Sequence, residues 1–283
     1  TDNIGGNIYA DYRSRLGNAQ GFNTNFSGNY GKGEFKFYYT QERDKSGDIE
    51  KDPSYPKVFE RYLARLRYKW DIDPYTNIIS EYYKITDSKR SLYGSDYNFL
   101  KDYFPREYEK DEQPNSYVSF HRSFPYSSLD ILVQKRVNRW YSSTMEYLPQ
   151  ILYSMPSLQI GRTPLYFFNS SEFTNQAIRY QAPAAPGTEN SVKFIDTTNK
   201  LSLPTKVAFI NFTPFIASRQ TFYNKDTSGD PTWNSPRSIF SFGTDASTKF
   251  YRFFNIGKTR FLGMEFDGLR HVITPSIGYT YQH

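Results

Sequence analysis

Hydrophobic and polar positions alternate with a period of two along most of this chain. From Ile8 to Leu16 the even positions are apolar or small, and most odd ones are charged. From Gly21 to Tyr30, Phe22, Thr24, Phe26, Gly28 and Tyr30 share one face, with Asn23, Asn25, Ser27 and Asn29 on the other. After a turn read at Gly31-Lys32-Gly33, Phe35, Phe37 and Tyr39 alternate with Glu34, Lys36 and Tyr38. Tyr62, Ala64, Leu66, Tyr68, Trp70 and Ile72 then face away from Arg61, Arg65, Arg67, Lys69 and Asp71. Further runs are Leu129, Ile131, Val133; Phe240, Phe242, Thr244, Ala246; and His271, Ile273, Pro275, Ile277, Tyr279, Tyr281. Such alternation predicts half-buried strands, here roughly ten to thirteen of them in an antiparallel meander. Turn clusters at Lys45-Ser46-Gly47-Asp48 and Ser228-Gly229-Asp230-Pro231 mark connections between them.

Two stretches, Asp87 to Pro114 and Gln181 to Pro204, lack clean alternation and read as long loops. Between Asp96 and Tyr108, Tyr97, Leu100 and Phe104 recur at helical spacing, enough for a helical turn or two. The acidic group Glu107, Glu109, Asp111 and Glu112 reads as a solvated loop rather than a paired-carboxylate site.

Composition separates this pattern from an ordinary soluble β-protein. Only 37% of the 283 residues are hydrophobic and mean hydropathy is −0.72, yet there are 26 Tyr and 24 Phe. Aromatic residues suit a pleated half-buried surface, and tyrosine suits a membrane–water boundary. No run approaches the ~20 apolar residues of a transmembrane helix. Alternating strands keep mean hydropathy low, so a transmembrane β-barrel segment remains open. The fold class expected is all-β, an antiparallel transmembrane barrel segment built as a meander of hairpins. It is expected to be incomplete, with residues 1–283 forming one region of a larger outer-membrane barrel. Both chain ends read as cut from something longer.

Candidate chemistry is sparse. Cysteine is absent, and His121, His271 and His283 have no metal-binding spacing. There is no Gly-x-Ser-x-Gly elbow and no Walker loop. No catalytic, cofactor or metal site is expected, and the chain does not read as an enzyme. The net charge of +6 is spread along the chain, but some basic residues form rows: Arg61, Arg65, Arg67 and Lys69 on one face of one strand, Arg13 and Arg15 on another. Such rows are either a hydrated wall in ion pairs with Asp11, Glu34 and Glu42, or a surface for phosphate on a passing amphiphile. Guanidinium forks match phosphate bidentately. Arg13, Arg15, Arg61, Arg65 and Arg67 are the candidate substrate contacts. No nucleic-acid-binding pattern accompanies the charge.

An ordered set of motifs resembles the LptD lipopolysaccharide-assembly family. It begins with Leu92-Tyr93-Gly94-Ser95-Asp96-Tyr97-Asn98-Phe99-Leu100-Lys101-Asp102-Tyr103-Phe104 and Arg106-Glu107-Tyr108, followed by Gln113-Pro114. Lys135-Arg136-Val137-Asn138-Arg139-Trp140-Tyr141, Glu146-Tyr147-Leu148-Pro149-Gln150-Ile151 and Thr163-Pro164-Leu165-Tyr166-Phe167 come next. Thr213-Pro214, Thr221-Phe222-Tyr223 and Gly268 to Tyr279 complete the series. Each motif is weak alone; their order spans nearly the whole chain. The resemblance implies a Gram-negative outer-membrane barrel that inserts lipopolysaccharide into the outer leaflet and performs no catalysis. It implies an LptE-like lipoprotein plug and an LptA-like periplasmic bridge partner, the latter engaged through a jelly-roll domain outside this sequence. The first and last barrel strands of that family also lie outside it. The readings left beside it are a porin-like channel and, from another class, a soluble carbohydrate-binding β-protein.

Overall fold

A computed structural model describes residues 3–13, 17–43, 58–87, 98–138, 144–179, 190–225, 236–255, 259–261, 264–266 and 268–283. Both turn clusters predicted at Lys45–Asp48 and Ser228–Pro231 lie outside the described residues, as does Arg15. The chain is all-β and antiparallel, with two short helices among the described residues. It divides into two compact units, 1–152 with 173–194 and 153–172 with 195–283.

The first unit begins with five long strands: β1 (Asn3–Arg13), β2 (Gly17–Gly28), β3 (Gly31–Arg43), β4 (Val58–Asp73) and β5 (Thr76–Asp87). Two helices follow, α1 (Phe99–Tyr103) and α2 (Pro105–Lys110), then β6 (Ser116–Phe124) and β7 (Ser127–Lys135). Each strand pairs with the next. The register carries one face straight across the sheet: Ile8 opposes Phe22, Phe22 opposes Phe37, and Phe37 opposes Ala64. Since a strand's side chains alternate, this register puts Tyr62, Leu66, Tyr68 and Trp70 on one face and Arg61, Arg65, Arg67 and Lys69 on the other. The alternation predicted for β4 therefore holds in the fold.

The apolar face is bare. Ile8 is 90% exposed, and Ile4, Tyr12, Phe22, Tyr82, Val118 and Val133 are exposed too. Its rings touch one another across strands, Phe22 with Phe35, Phe37 with Tyr62, and Tyr30 with Trp70. Lys84 shares this face, and its ammonium donates to the Val137 carbonyl at 3.3 Å. Glycine allows two close aromatic approaches. Gly33 lies between Phe26 and Tyr68 in the register, and those rings stack at 6.3 Å above it. A Cβ on Gly33 would fall 2.4 Å from the Phe26 ring. On the opposite face, Tyr9 and Tyr38 meet across Gly21.

Connections differ by end. The pairs β2–β3, β4–β5 and β6–β7 are joined by two-residue turns at 29–30, 74–75 and 125–126. The turn predicted at Gly31–Gly33 thus sits two residues earlier; Gly31 has φ 110° and already pairs with Gly28. Connections at the other end are longer, 44–57 and 88–115 among them.

The strands β8 (Thr144–Gln159), β9 (Tyr166–Arg179) and β10 (Asn190–Ser202) follow in the ladder. In the second unit are β11 (Thr205–Val207), β12 (Ile210–Tyr223), β13 (Arg237–Ser247), β14 (Phe250–Phe254), β15 (Thr259–Phe261), β16 (Met264–Phe266), β17 (Leu269–Ile273) and β18 (Ser276–Gln282). The main sheet has 14 strands in sequence order from β1 to β13, ending on β18, with β11 paired to β12. The ladder is an antiparallel meander. Among the described residues the main sheet alone exceeds the ten to thirteen strands predicted, and two separate pairs, β14–β17 and β15–β16, add four more.

Two further expectations are corrected. The run His271 to Tyr281 is not one strand, since it divides at Thr274-Pro275 between β17 and β18, which pair with different partners. Proline has no N–H for a ladder, and the break follows. Residues Asn190–Ser202, read as loop, form β10, where Asp196 accepts hydrogen bonds from Arg219 and Thr221 on β12. Polar residues on both faces hid the period. The second unit also carries an exposed apolar face, with Ile216 opposite Phe242 and Phe242 opposite Tyr281. Among the described residues no helix is long and apolar enough to cross a membrane, which says nothing of strands.

Candidate functional site: the covered basic face of the first unit

The polar face of β3, β4 and β5 is the face that the chain covers. Lys36, Tyr38, Thr40 and Glu42 on β3, Arg61, Leu63 and Arg65 on β4, and Tyr83, Ile85 and Asp87 on β5 are all buried. What covers them is the segment between β5 and β6. Asn98 caps α1, its side-chain oxygen accepting from Leu100 N at 2.9 Å, as N-cap asparagines do. The short helix drops Phe99, Leu100 and Tyr103 onto Tyr38, Leu63, Tyr83 and Ile85. Pro105, at the first position of α2, ends α1 and starts the next turn. Asp96 and Tyr97 lie outside the described residues; from Asn98 to Tyr108 the predicted helical turns are present, as a packed insert rather than a free loop.

The insert brings acid to the basic row. Arg61, wholly buried, meets Glu42 at 2.7 Å, Asp87 at 2.9 Å and Asp102 of α1 at 2.6 Å. Arg65 meets Glu34 at 2.6 Å and Glu107 of α2 at 2.8 Å. Lys36 reaches Glu107 at 2.7 Å, with its ammonium 3.6 Å from the centre of the Phe104 ring. Three cations thus face five carboxylates, and where the insert lies the row is ion-paired, the first of the two alternatives read from sequence. Glu107, read as part of a solvated acidic group, is instead held by Lys36, Arg65 and the Tyr83 hydroxyl. Burial pushes its carboxyl up; the Lys36 hydrogen bond and the Arg65 and Lys36 charges pull it down and prevail, leaving it below the ordinary glutamate value. Burial raises the Tyr103 phenol.

The sheet is also completed by side chains here. The β5–β6 pairing runs from Thr76 to Glu81. Beyond it, Tyr83 N donates to the Ser116 hydroxyl at 2.9 Å, and Ile85 N donates to Asn138 Oδ1 at 2.9 Å. Asn138 Nδ2 returns a bond to the Tyr83 carbonyl at 3.0 Å. One buried amide thereby replaces a stretch of strand, satisfying backbone groups that cannot be left bare.

The predicted contact residues separate into groups. Arg61 and Arg65 are enclosed by the insert. Arg13 lies at its margin, donating to the Asp102 carbonyl and resting 4.6 Å from the Tyr103 ring centre. Arg67 stays half exposed, paired with Glu81 at 2.6 Å. A cleft of about 380 Å³ opens beside the insert, lined by Arg65, Arg67, Glu107, Lys110 and Tyr117 among others. The expected ion pairs Arg65–Glu34 and Arg61–Glu42 are present, while Asp11 accepts from the Tyr38 hydroxyl at 2.7 Å. Sequence reasoning missed Asp87, Asp102 and Asn138. Asp102 and Asn138 lie inside the motifs quoted above, but nothing local in sequence assigns them partners on β4 and β5. Among the described residues no group of three His, Asp or Glu side chains is arranged to hold a metal ion.

No protein-family model matches this chain, and no curated protein matches it significantly.

Proposed function

We propose that this chain is part of a Gram-negative outer-membrane β-barrel that inserts lipopolysaccharide into the outer leaflet. The observation that carries the membrane part is the sheet of the first unit, apolar and bare on one face, polar and ion-paired on the other. Strands of 11 to 16 residues in β1 to β5 meet or exceed the ~9–11 that a tilted transmembrane strand needs. Two-residue turns at one end and longer connections at the other follow the short-periplasmic, long-extracellular habit of such barrels. Tyr30, Tyr68 and Trp70 sit towards the short-turn end and Tyr39 and Tyr62 towards the other, as aromatic girdles would.

The lipopolysaccharide part rests on the ordered motifs and on the cargo's chemistry. A phosphorylated saccharide head cannot cross hydrocarbon bare, and a polar inner face solvates it while acyl chains stay with lipid. On this reading an LptE-like lipoprotein and an LptA-like bridge protein are the partners, and Arg13, Arg15, Arg61, Arg65 and Arg67 are the candidate head-group contacts. The geometry ranks them. Arg67 and Arg13 are reachable with the insert seated; Arg61 and Arg65 become reachable only when α1 and α2 lift.

The test is photo-crosslinking of lipopolysaccharide from a light-activated residue at each of the five positions, in cells. Adducts are expected at positions 13 and 67, and at 61 and 65 after Asp102→Asn with Glu107→Gln. Adducts at none of the five, with strong ones elsewhere on the inner face, would leave a porin-like channel as the better reading. Recovery of the protein in the soluble periplasmic fraction would remove both.

A further inference from the structure

A second constellation lies outside the covered face, on the hairpin β6–β7. His121 Nδ1 is 2.5 Å from Asp130 Oδ1, and His121 Nε2 is 2.9 Å from the Ser123 hydroxyl. The two contacts use the two ring nitrogens, so one imidazole bridges a carboxylate and a hydroxyl. The register explains why. The turn at 125–126 pairs Phe124 with Ser127, Ser123 with Ser128 and His121 with Asp130. His121 and Ser123 are two apart on one strand and so share a face, and Asp130 stands directly opposite His121 on that face. Cross-strand neighbours have Cβ atoms ~4.5–5.5 Å apart, within reach of an imidazole–carboxylate bond. The group remains open to solvent, with the His121 and Asp130 side chains 33% and 44% exposed and Ser123 half-buried.

We propose that Ser123, His121 and Asp130 form a nucleophile–base–orienter triad that hydrolyses carboxylic esters. A serine hydroxyl is a weak nucleophile until a base takes its proton, and the base is effective when a third group fixes its tautomer. Asp130 accepts from Nδ1–H, which leaves Nε2 with its lone pair towards Ser123. Ser123 Oγ bonds to the ester carbonyl carbon while its proton passes to Nε2. The carbon–alkoxy bond then breaks, and the alcohol leaves with the proton from Nε2. Water, giving its proton to Nε2, next attacks the acyl-serine, and the carboxylic acid departs as His121 returns the proton to Ser123. Ser123 and His121 are the catalytic residues; Asp130 is a positioning residue. Asn77, the register partner of His121 on β5, shares the row and is half-buried; its amide is the donor assigned to the developing oxyanion. The inference goes beyond the lipopolysaccharide reading and does not depend on it.

A fluorophosphonate probe tests it on the folded protein in detergent micelles, because a serine activated this way displaces fluoride and keeps the phosphonyl group. Labelling of Ser123 is expected by peptide mapping, lost in Ser123→Ala and in heat-unfolded protein. His121→Ala should slow it by ~10²–10⁴-fold, the usual worth of a general base. Asp130→Asn should slow labelling at an unchanged folded fraction, with partial rescue by Asp130→Glu, and Asn77→Ala should slow ester turnover more than labelling. Turnover is then followed on p-nitrophenyl butyrate and on diacyl phosphatidylcholine micelles, which separates a water-soluble ester from a lipid one. Native protein that leaves Ser123 unlabelled would overturn the proposal. So would labelling that His121→Ala does not alter, or labelling without turnover of either ester.

Discussion

Arg61 on β4 and Asp102 on α1 meet at 2.6 Å although 41 residues separate them. With the contacts of Glu107 to Arg65 and Lys36, this contact joins the basic row to the insert that covers it. The arginine also holds Glu42 and Asp87, so three acidic side chains converge on one buried guanidinium. Burying such a group is costly unless every charge finds a partner. The insert supplies one of those partners and excludes water from the others.

Removing the guanidinium should therefore be worse than removing any one acid. Arg61→Leu takes the guanidinium away from the buried Glu42 and Asp87, and a loss of about 3–5 kcal/mol is expected. Asp102→Asn, at a partly exposed position, should cost clearly less. Urea unfolding of the detergent-folded variants measures both; equal losses would show that Asp102, not Arg61, organises the cluster.

The apolar side of the insert can be tested separately. Phe99 and Leu100 are fully buried against β3, β4 and β5. Phe99→Ala should cost about 3–5 kcal/mol and Leu100→Ala about 2–5. The expected signature is local: faster proteolysis of the α1–α2 segment, with strand ladders still protected in hydrogen exchange. Loss of protection across β3 to β5 at the same rate would mean that the insert and the sheet open as one unit.

Acid should release the insert. The Glu107 carboxyl lies below its ordinary value of 4.5 in the folded chain, so it favours folding when ionised. That contribution is complete above the unfolded value and is lost as pH falls through the folded one. Proteolytic release of α1 and α2 is expected to rise as pH drops below about 4.5. Glu107→Gln should lift release at neutral pH and flatten the dependence. An unchanged acid profile in this variant would assign the effect to another carboxylate.

Facing can be read by charge insertion. Leu66 lies on the apolar face of β4 and Arg67 on the polar one. If the apolar face meets lipid, Leu66→Arg should impair folding into bilayers by about 2–4 kcal/mol near the midplane, and Arg67→Leu far less. The measurement is the folded fraction after refolding into lipid vesicles. A larger penalty at position 67 would reverse the assignment.

Much of this architecture was legible in local pattern. Strict alternation from Tyr62 to Ile72 fixes which side chains share a face, since a strand's period is two and needs no partner to be defined. Polar strands were harder to read. Asn190–Ser202 carries hydrogen-bonding side chains on both faces, so no period survives to mark β10, and its pairing is visible only in the folded sheet. The histidine triad was missed for a related reason. A search for close histidine pairs and for linear motifs passes over His121, because its aspartate is opposite it across a hairpin rather than beside it in sequence.

By itself the sequence determined the all-β class, the antiparallel meander and the two-faced strands, because these follow from side-chain period and turn length over a few residues. Only the tertiary structure decided that the basic row is covered and neutralised, since Asp102 and Glu107 reach Arg61 and Arg65 through a long connection whose path no local pattern encodes. Coulomb attraction and the burial of Phe99 and Leu100 act between groups that the fold, not the chain order, makes neighbours.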